Sequence, residues 1–349
     1  MLDKKEVFMF TSLLIIAATI AGGEEGFTQP LQDEKSPAEF GYMLKKEEAL
    51  AGWIALFDGE TTFGFREAKV EAPRERGGPH ILVGGETTSP FHNSMLRINV
   101  VRAGKLKSDK YEVSFEPGLQ LIKIGHPISK LRLADGLAVS QLSLLPPQRE
   151  RLLNGKDLSG WKAIPYPKAA PGTKVSWEVK DGFVHAVGGP GALEYQGPAE
   201  AAKTEMTPLR FKDFLLQADV RTAAPHTNGG IFLRNQPGAV MMGYEAQLHN
   251  RVYDTRNGVS GCCTGSIDDR QHARRLVCRD GELFRLTTIV AGPHFSIWVN
   301  GYQTADWTDT RPPHENPRQG LRLEAGTLQL QAHDPETNLE FHQVFVDRF

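Results

Sequence analysis

Cysteine is scarce in this chain: Cys262, Cys263 and Cys278 are the three among 349 residues. So few exclude a disulfide-stapled scaffold. One bridge stays open, with Cys278 pairing either neighbour and one thiol left over. A zinc site using His272 between them is disfavoured, because adjacent cysteines fit a four-ligand cage poorly and no C-x-x-C occurs. An excess of either charge is missing too. Lys+Arg 40 against Asp+Glu 42 leaves a net charge of -2, which excludes nucleic acid and anionic membranes as partners held by bulk charge. G-x-S-x-G, a phosphate loop, a dinucleotide fingerprint and H-E-x-x-H are all absent.

Long apolar runs are lacking as well. The one candidate, Val7 to Ala21, is 15 residues, short of the roughly 20 that span a bilayer. Lys4 and Lys5 precede it, and Ala21, Gly22 and Gly23 follow. That order predicts a signal peptide over residues 1–23 and a secreted or periplasmic protein, with no membrane contact after its removal. The rival reading is a buried strand or helix of the mature fold. No cysteine follows the run to carry a lipid.

What is plentiful is Gly 35 and Pro 22, between short apolar stretches. This composition suits many strands and turns. One helical pattern stands out, from Ser36 to Leu56, with Tyr42, Met43, Leu44, Ala49, Leu50 and Trp53 on its apolar side and Ser36-Pro37 as cap and first turn. Residues 24–50 are therefore a polar leader and helix. Two similar phrases follow, LFDGETTFGF at 56–65 and LLNGKDLSGW at 152–161, about 96 residues apart. Each opens a β-rich module.

The first module, 51–149, alternates at Met95, Ile98 and Val100, at Tyr111, Val113 and Phe115, and through Leu119, Leu121, Ile124 and Ile128. It reads as a small accessory sheet or a degenerate half-copy of the second. Pro146-Pro147 marks the linker. The second module, 150–349, predicts strands at Ser176–Val179, Phe183–Val187, Phe214–Val220, Gly230–Leu233, Tyr244–Leu248, Leu283–Val290, Phe295–Val299, Thr327–Gln331 and Leu339–Val346. Turns fall at Asp181-Gly182, Asn228-Gly229, Asn257-Gly258, Asp280-Gly281 and Asn300-Gly301. Short strands at such spacing indicate a β-sandwich or jelly roll.

Polar side chains gather on one face of three strands. In YEAQLH, Glu245, Gln247 and His249 share a side. In LQLQAH, Gln329, Gln331 and His333 do. In GGIFLR, Arg234 opposes Leu233, with Asn228 just ahead. A solvated sheet face favours Lys, Glu and Thr. Gln, His, Asn and Arg suit fixed hydrogen bonds to sugar hydroxyls.

Eight phrases in order then carry a family likeness: LLNGKDLSGW (152–161), SWEVKDGFVHAVGG (176–189), FKDFLLQADVR (211–221), NGGIFLR (228–234), YEAQLH (244–249), TGSI (264–267), SIWVNG (296–301) and LQLQAHDPETNLEF (328–341). The second module resembles the 3-keto-disaccharide hydrolase family. The resemblance implies a mostly β, concanavalin A-like sandwich. It also implies action on glucosides oxidised to a ketone at C3, whose C2 proton is acidic enough for elimination at C1, followed by hydration. Where the family has Trp-Asn, this chain has Phe284-Arg285, which bears on packing or one sugar contact.

Residue type and strand face supply the roles. Glu245 or His249 is the candidate base, and His333 a candidate acid or second base. Arg234 and Asn228 are candidate donors to the enolate or sugar hydroxyls, with Gln247 and Gln331 positioning the ring. No cofactor is expected. A structural or catalytic divalent cation stays open, through Asp268-Asp269 or Asp306 and Asp309, against their plainer reading as turn residues. The rivals are a sugar-binding or surface-interaction module without catalysis and a retaining glucanase, whose E-x-D-x-x-E strand motif is absent.

Overall fold

The structure is a computed structural model that describes residues 16–19, 25–30, 44–73, 75–125, 129–147, 150–198, 210–225, 227–250, 253–254, 260–261 and 263–349. The expected Ser36-Pro37 cap, Ile128, the Asn257-Gly258 turn, Cys262 and most of the leader lie outside the described residues. The helix is shorter than its periodicity predicts, Lys46–Ala51. Glu48 accepts from the Lys45 backbone N–H at 2.9 Å. Gly52, at φ 109°, ends the helix in a left-handed conformation that favours glycine. Beyond it, Ile54–Ala55 joins a sheet instead of a further helical turn.

Apart from that helix the described chain is antiparallel β-structure, a concanavalin A-like arrangement of paired sheets. All nine strands expected in the second module are present; Phe183–Val187 and Tyr244–Leu248 match at both ends, and the other seven differ by one or two residues. Trp161–Pro165, Gly191–Tyr195 and Tyr302–Thr308 were not anticipated.

The first module is more than an accessory sheet. Its larger sheet runs Ile16–Thr19, Glu25–Pro30, Gly118–Ile124, Ser94–Arg102, Ala138–Leu145, Ile81–Val83, Lys69–Glu71, with Ile54–Ala55 also paired to Ala138–Leu145. The second module's larger sheet runs Tyr302–Thr308, His294–Val299, Leu283–Ala291, Phe214–Thr222, Asn338–Arg348, Phe183–Val187, Ser176–Lys180, with Glu150–Arg151 paired to Asn338–Arg348. The smaller sheets match as well. Phe65–Arg66, Glu86–Thr87, Arg132–Ala134, Gly104–Lys107 and Glu112–Phe115 correspond to Trp161–Pro165, Gly191–Tyr195, Thr327–Ala332, Gly229–Asn235 and Tyr244–Leu248. The two modules thus share one strand order. The difference lies at one sheet edge, where the first module uses chain from before its opening phrase and the second uses the 294–308 hairpin. A whole sandwich order fits into so short a module because its strands are short.

Two cores result. Leu193, Phe214, Ile231, Ala246, Leu286, Leu330 and Phe341 lie inside the second sandwich. Leu96, Ile98, Phe115, Ile122, Leu133 and Leu142 lie inside the first, in a cluster that also takes in Leu215, Ile289 and Trp298 from the outer face of the second module's larger sheet. Trp298 Nε1 donates to Ala55 O at 3.0 Å, and Gln217 Nε2 donates to Gly52 O at 3.0 Å. The first module therefore docks on the back of the second and leaves the smaller sheet's outer face free.

Candidate functional site

That free face carries the polar residues. In register across it, Gln331 pairs with Gly230 and Gly230 with Gln247, while Gln329 pairs with Phe232 and Phe232 with Glu245. The intervening Leu330, Ile231 and Ala246 point into the core, as a two-residue period requires. A cleft of about 360 Å³ opens there. Six of the expected residues line it: Asn228, Glu245, Gln247, His249, Gln331 and His333. Met241 and Arg318 join them unforeseen, as does Asp268, weighed from sequence only as a cation ligand or turn residue.

Glu245 lies over the bare backbone of Gly230, where a Cβ would collide with Glu245 Oε1. Its residue is 4% exposed. Burial pushes its carboxyl well above the ordinary carboxylate range, and Asp268 adds to the shift while Arg318 opposes it. Asp268 arrives on a segment that runs beside Tyr244–Leu248: its N–H donates to Glu245 O at 3.0 Å, and Gln247 N–H donates to Ser266 O at 3.0 Å. Arg318 Nη2 lies 2.9 Å from Asp268 Oδ2 and 3.6 Å from Glu245 Oε2.

Gln331 is fully buried, and neither its Oε1 nor its Nε2 has a hydrogen-bond partner. Buried amides are normally satisfied, and this one is not. The Gln247 amide, with its NH₂ toward Gly229 O and Glu245 Oε1, donates to both at 3.0 Å. His333 Nδ1 bonds Asp334 Oδ1 at 2.6 Å, which leaves Nε2 for a ligand. Asn228 Nδ2 donates to Asp334 Oδ2 at 3.1 Å, and Asn228 O accepts from His333 N–H at 3.2 Å. His249 is fixed through its backbone N–H, which donates to Thr264 Oγ1 at 2.9 Å.

Arg234 is the correction. Strand alternation places it with Phe232 on the cleft face. A register shift between Phe232 and Asn235, with Arg234 at φ 48°, turns it away. Its guanidinium donates to Lys212 O at 2.6 Å, Gly292 O at 2.7 Å and Asp213 Oδ1 at 2.9 Å. It ties loops together and does not line the cleft. Phe284 is core, and Arg285 bonds Asp219 at 2.6 and 2.7 Å on the back of the larger sheet, so that departure from the family concerns packing and not sugar.

A second buried carboxylate, Glu194, lies on the same sheet face. It accepts from Gly238 N–H at 3.0 Å, Thr327 Oγ1 at 2.9 Å and Gln329 Nε2 at 2.8 Å. Gln329 Nε2 also donates to Ala239 O at 2.8 Å, so the two residues clamp the loop that carries Met241 to the cleft. Three strand spacings, roughly 14 Å, separate Glu194 from Glu245, beyond the carboxylate pairs of retaining or inverting glycosidases.

Of the aspartates weighed for a cation, Asp268 pairs with Arg318 at 2.9 Å, and Asp306 and Asp309 are engaged elsewhere. Asp306 accepts from Ser296 at 2.6 Å and Thr88 at 2.8 Å, and Asp309 from Tyr244 and Arg311 at 2.8 Å each. Among the described residues, no group of three or more His, Cys, Asp or Glu is placed to hold a metal. Cys263 is disulfide-bonded. Cys278 is a free thiol, bonded to Asn250 Oδ1 at 3.2 Å, so the expected Cys278 bridge does not form. Burial pushes that thiol up to about 12, away from nucleophilic use.

The chain is similar to several solved structures. A putative glycosyl hydrolase from Parabacteroides distasonis is 18% identical, covering 58% of this chain and 100% of that one at a TM-score of 0.41. A carbohydrate-binding module from Bacillus subtilis, CBM66, is 13% identical, covering 54% and 96% at 0.36. No curated protein matches the chain. The profile of the 3-keto-alpha-glucoside-1,2-lyase-like domain matches residues 148–347. That span covers the second sandwich and every residue of the cleft, and the chain belongs to this family.

Proposed function

We propose that the cleft binds a glucoside whose C3 hydroxyl has been oxidised to a ketone and cleaves its C1–O bond by elimination and hydration. The observation that carries this reading is a buried carboxyl, Glu245, whose pKa burial raises well above the ordinary carboxylate range, beside a buried and unpartnered amide, Gln331. A base takes the C2 proton, and the C2–H pair moves into the ring to make the enolate. Re-formation of the C3 carbonyl drives a C1=C2 bond and expels the C1 oxygen, which takes a proton. Water adds at C1 and a proton returns to C2, giving the free 3-keto sugar.

Glu245 is the base in this scheme, with His249 the alternative. His333, oriented by Asp334, serves the leaving oxygen through Nε2. Gln331, Gln247 and Asn228 bind ring hydroxyls. Gln331 alone would equally serve a protein that only binds sugar, so both readings go into one assay. The full chain is incubated with a 3-keto-glucoside bearing a chromogenic leaving group, beside the unoxidised glucoside. Release from the keto form alone supports elimination. Binding of both without release from either leaves the binding module and overturns the enzyme.

A further inference from the structure

We propose that Arg318 is a catalytic residue that holds the C3 oxygen of the substrate as it becomes negative. The inference rests on the keto-glucoside reading. Elimination places a full charge on O3 in its first step, and a site built for it needs a donor there before the charge forms. Arg234 does not fill that role, because its guanidinium is fully buried against Lys212, Asp213 and Gly292.

Arg318 is the guanidinium that lines the cleft. Its Nη2 serves Asp268 at 2.9 Å and stands 3.6 Å from Glu245. Its Nε and Nη1 make no hydrogen bond among the described residues. The backbone is pinned on both sides, with Arg318 N–H donating to Asn316 Oδ1 at 2.9 Å and Arg318 O accepting from Arg270 Nη2 at 2.7 Å. The guanidinium carbon stands over the Phe232 ring, 5.8 Å from its centroid. The head is thus held in place with donors to offer.

Its position beside Glu245 fits the reaction. The C2 proton and O3 are on neighbouring carbons, so base and oxyanion donor must also be neighbours. When Glu245 accepts the proton, its negative charge disappears and one appears on O3. Arg318 then faces a carboxylate before the step and an enolate after it. Asp268 keeps the guanidinium paired throughout and acts as a positioning residue. The charged groups facing Glu245 are Asp268 and Asp269 from the segment beside its strand and Arg318 from the 309–326 loop.

The test uses the full chain and the chromogenic 3-keto-glucoside. Arg318→Gln is expected to lower kcat by about 10²–10³-fold and to leave KM within a few-fold. It also moves the acid limb of the pH–rate profile to higher pH, because the cation that favours ionised Glu245 is gone. Arg318→Lys, measured alongside with thermal melting of both variants, is expected to recover part of kcat. A kcat for both variants within a few-fold of wild type, or a loss matched by loss of the folding transition in both, overturns the assignment. Wild-type protein that releases nothing from the keto-glucoside overturns the elimination reading itself, a distinguishable result.

Discussion

Across four strands of the first module one row reads Glu86, Arg132, Lys107, Glu112. Across the corresponding strands of the second, a row reads Glu194, Gln329, Phe232, Glu245. The backbones follow the same order, and the chemistry differs completely. In the first row two central cations pair with acids on a solvated surface: Arg132 with Glu86 at 3.2 Å, Lys107 with Glu112 at 3.2 Å and with Asp135 at 3.0 Å. Water screens such pairs, and they ask nothing of a ligand. In the second row the carboxyls and amide are buried and the aromatic ring takes one place. Loops that carry Met241, Asp268 and Arg318 close over that face. One strand order therefore yields a solvated surface or a cleft, according to the side chains on one face and the length of the loops beside it.

The comparison can be broken at several points. Glu245→Gln is expected to reduce turnover of a 3-keto-glucoside by about 10²–10⁴-fold, whereas Glu112→Gln at the corresponding strand leaves it unchanged; initial rates decide. The same Glu245 variant should gain stability relative to wild type as pH rises. A carboxyl whose folded pKa is raised contributes stability below its unfolded value and loses it as pH climbs through the folded one. Melting curves from pH 4 upward read that slope.

Trp298→Ala tests the joint between the modules. This side chain is 1% exposed and bonded to Ala55, so truncation is expected to cost about 3–5 kcal/mol, seen as a lower denaturant midpoint with the cleft's sugar affinity kept. Gln331→Leu removes an unpartnered buried amide. It should weaken sugar binding about tenfold, by roughly one lost hydrogen bond, and raise the melting temperature, a pairing that titration calorimetry and thermal melts detect. Smallest of all, Lys107→Gln on the first module should leave both melting and turnover unchanged.

Much of this division shows in local sequence. The alternation in YEAQLH and LQLQAH placed Glu245, Gln247, His249, Gln331 and His333 on one side, and all five line the cleft. Arg234 escaped because a bulge reverses alternation without a local signal. Arg318 escaped, and Asp268 was weighed only as a cation ligand or turn residue, because tertiary contacts, and no short-range pattern, bring their segments to the sheet. Tyr302–Thr308 was missed because its buried Gln303 and Thr304, and Asp306 beside them, look like loop residues. Thr88 of the first module bonds Asp306 at 2.8 Å, a satisfaction that sequence periodicity does not reveal. The paired phrases pointed to a half-copy at most; that the whole strand order repeats was hidden by short strands and by edge strands drawn from upstream.

The most direct test follows the carbon that the account says must react. The protein converts a 3-keto-glucoside in D₂O, and the product is analysed by mass and NMR against an enzyme-free blank. Elimination and hydration predict one deuterium at C2 in every product molecule, above the blank, with no cleavage of the unoxidised glucoside. Release of the sugar with protium retained at C2 would show direct hydrolysis and contradict the account.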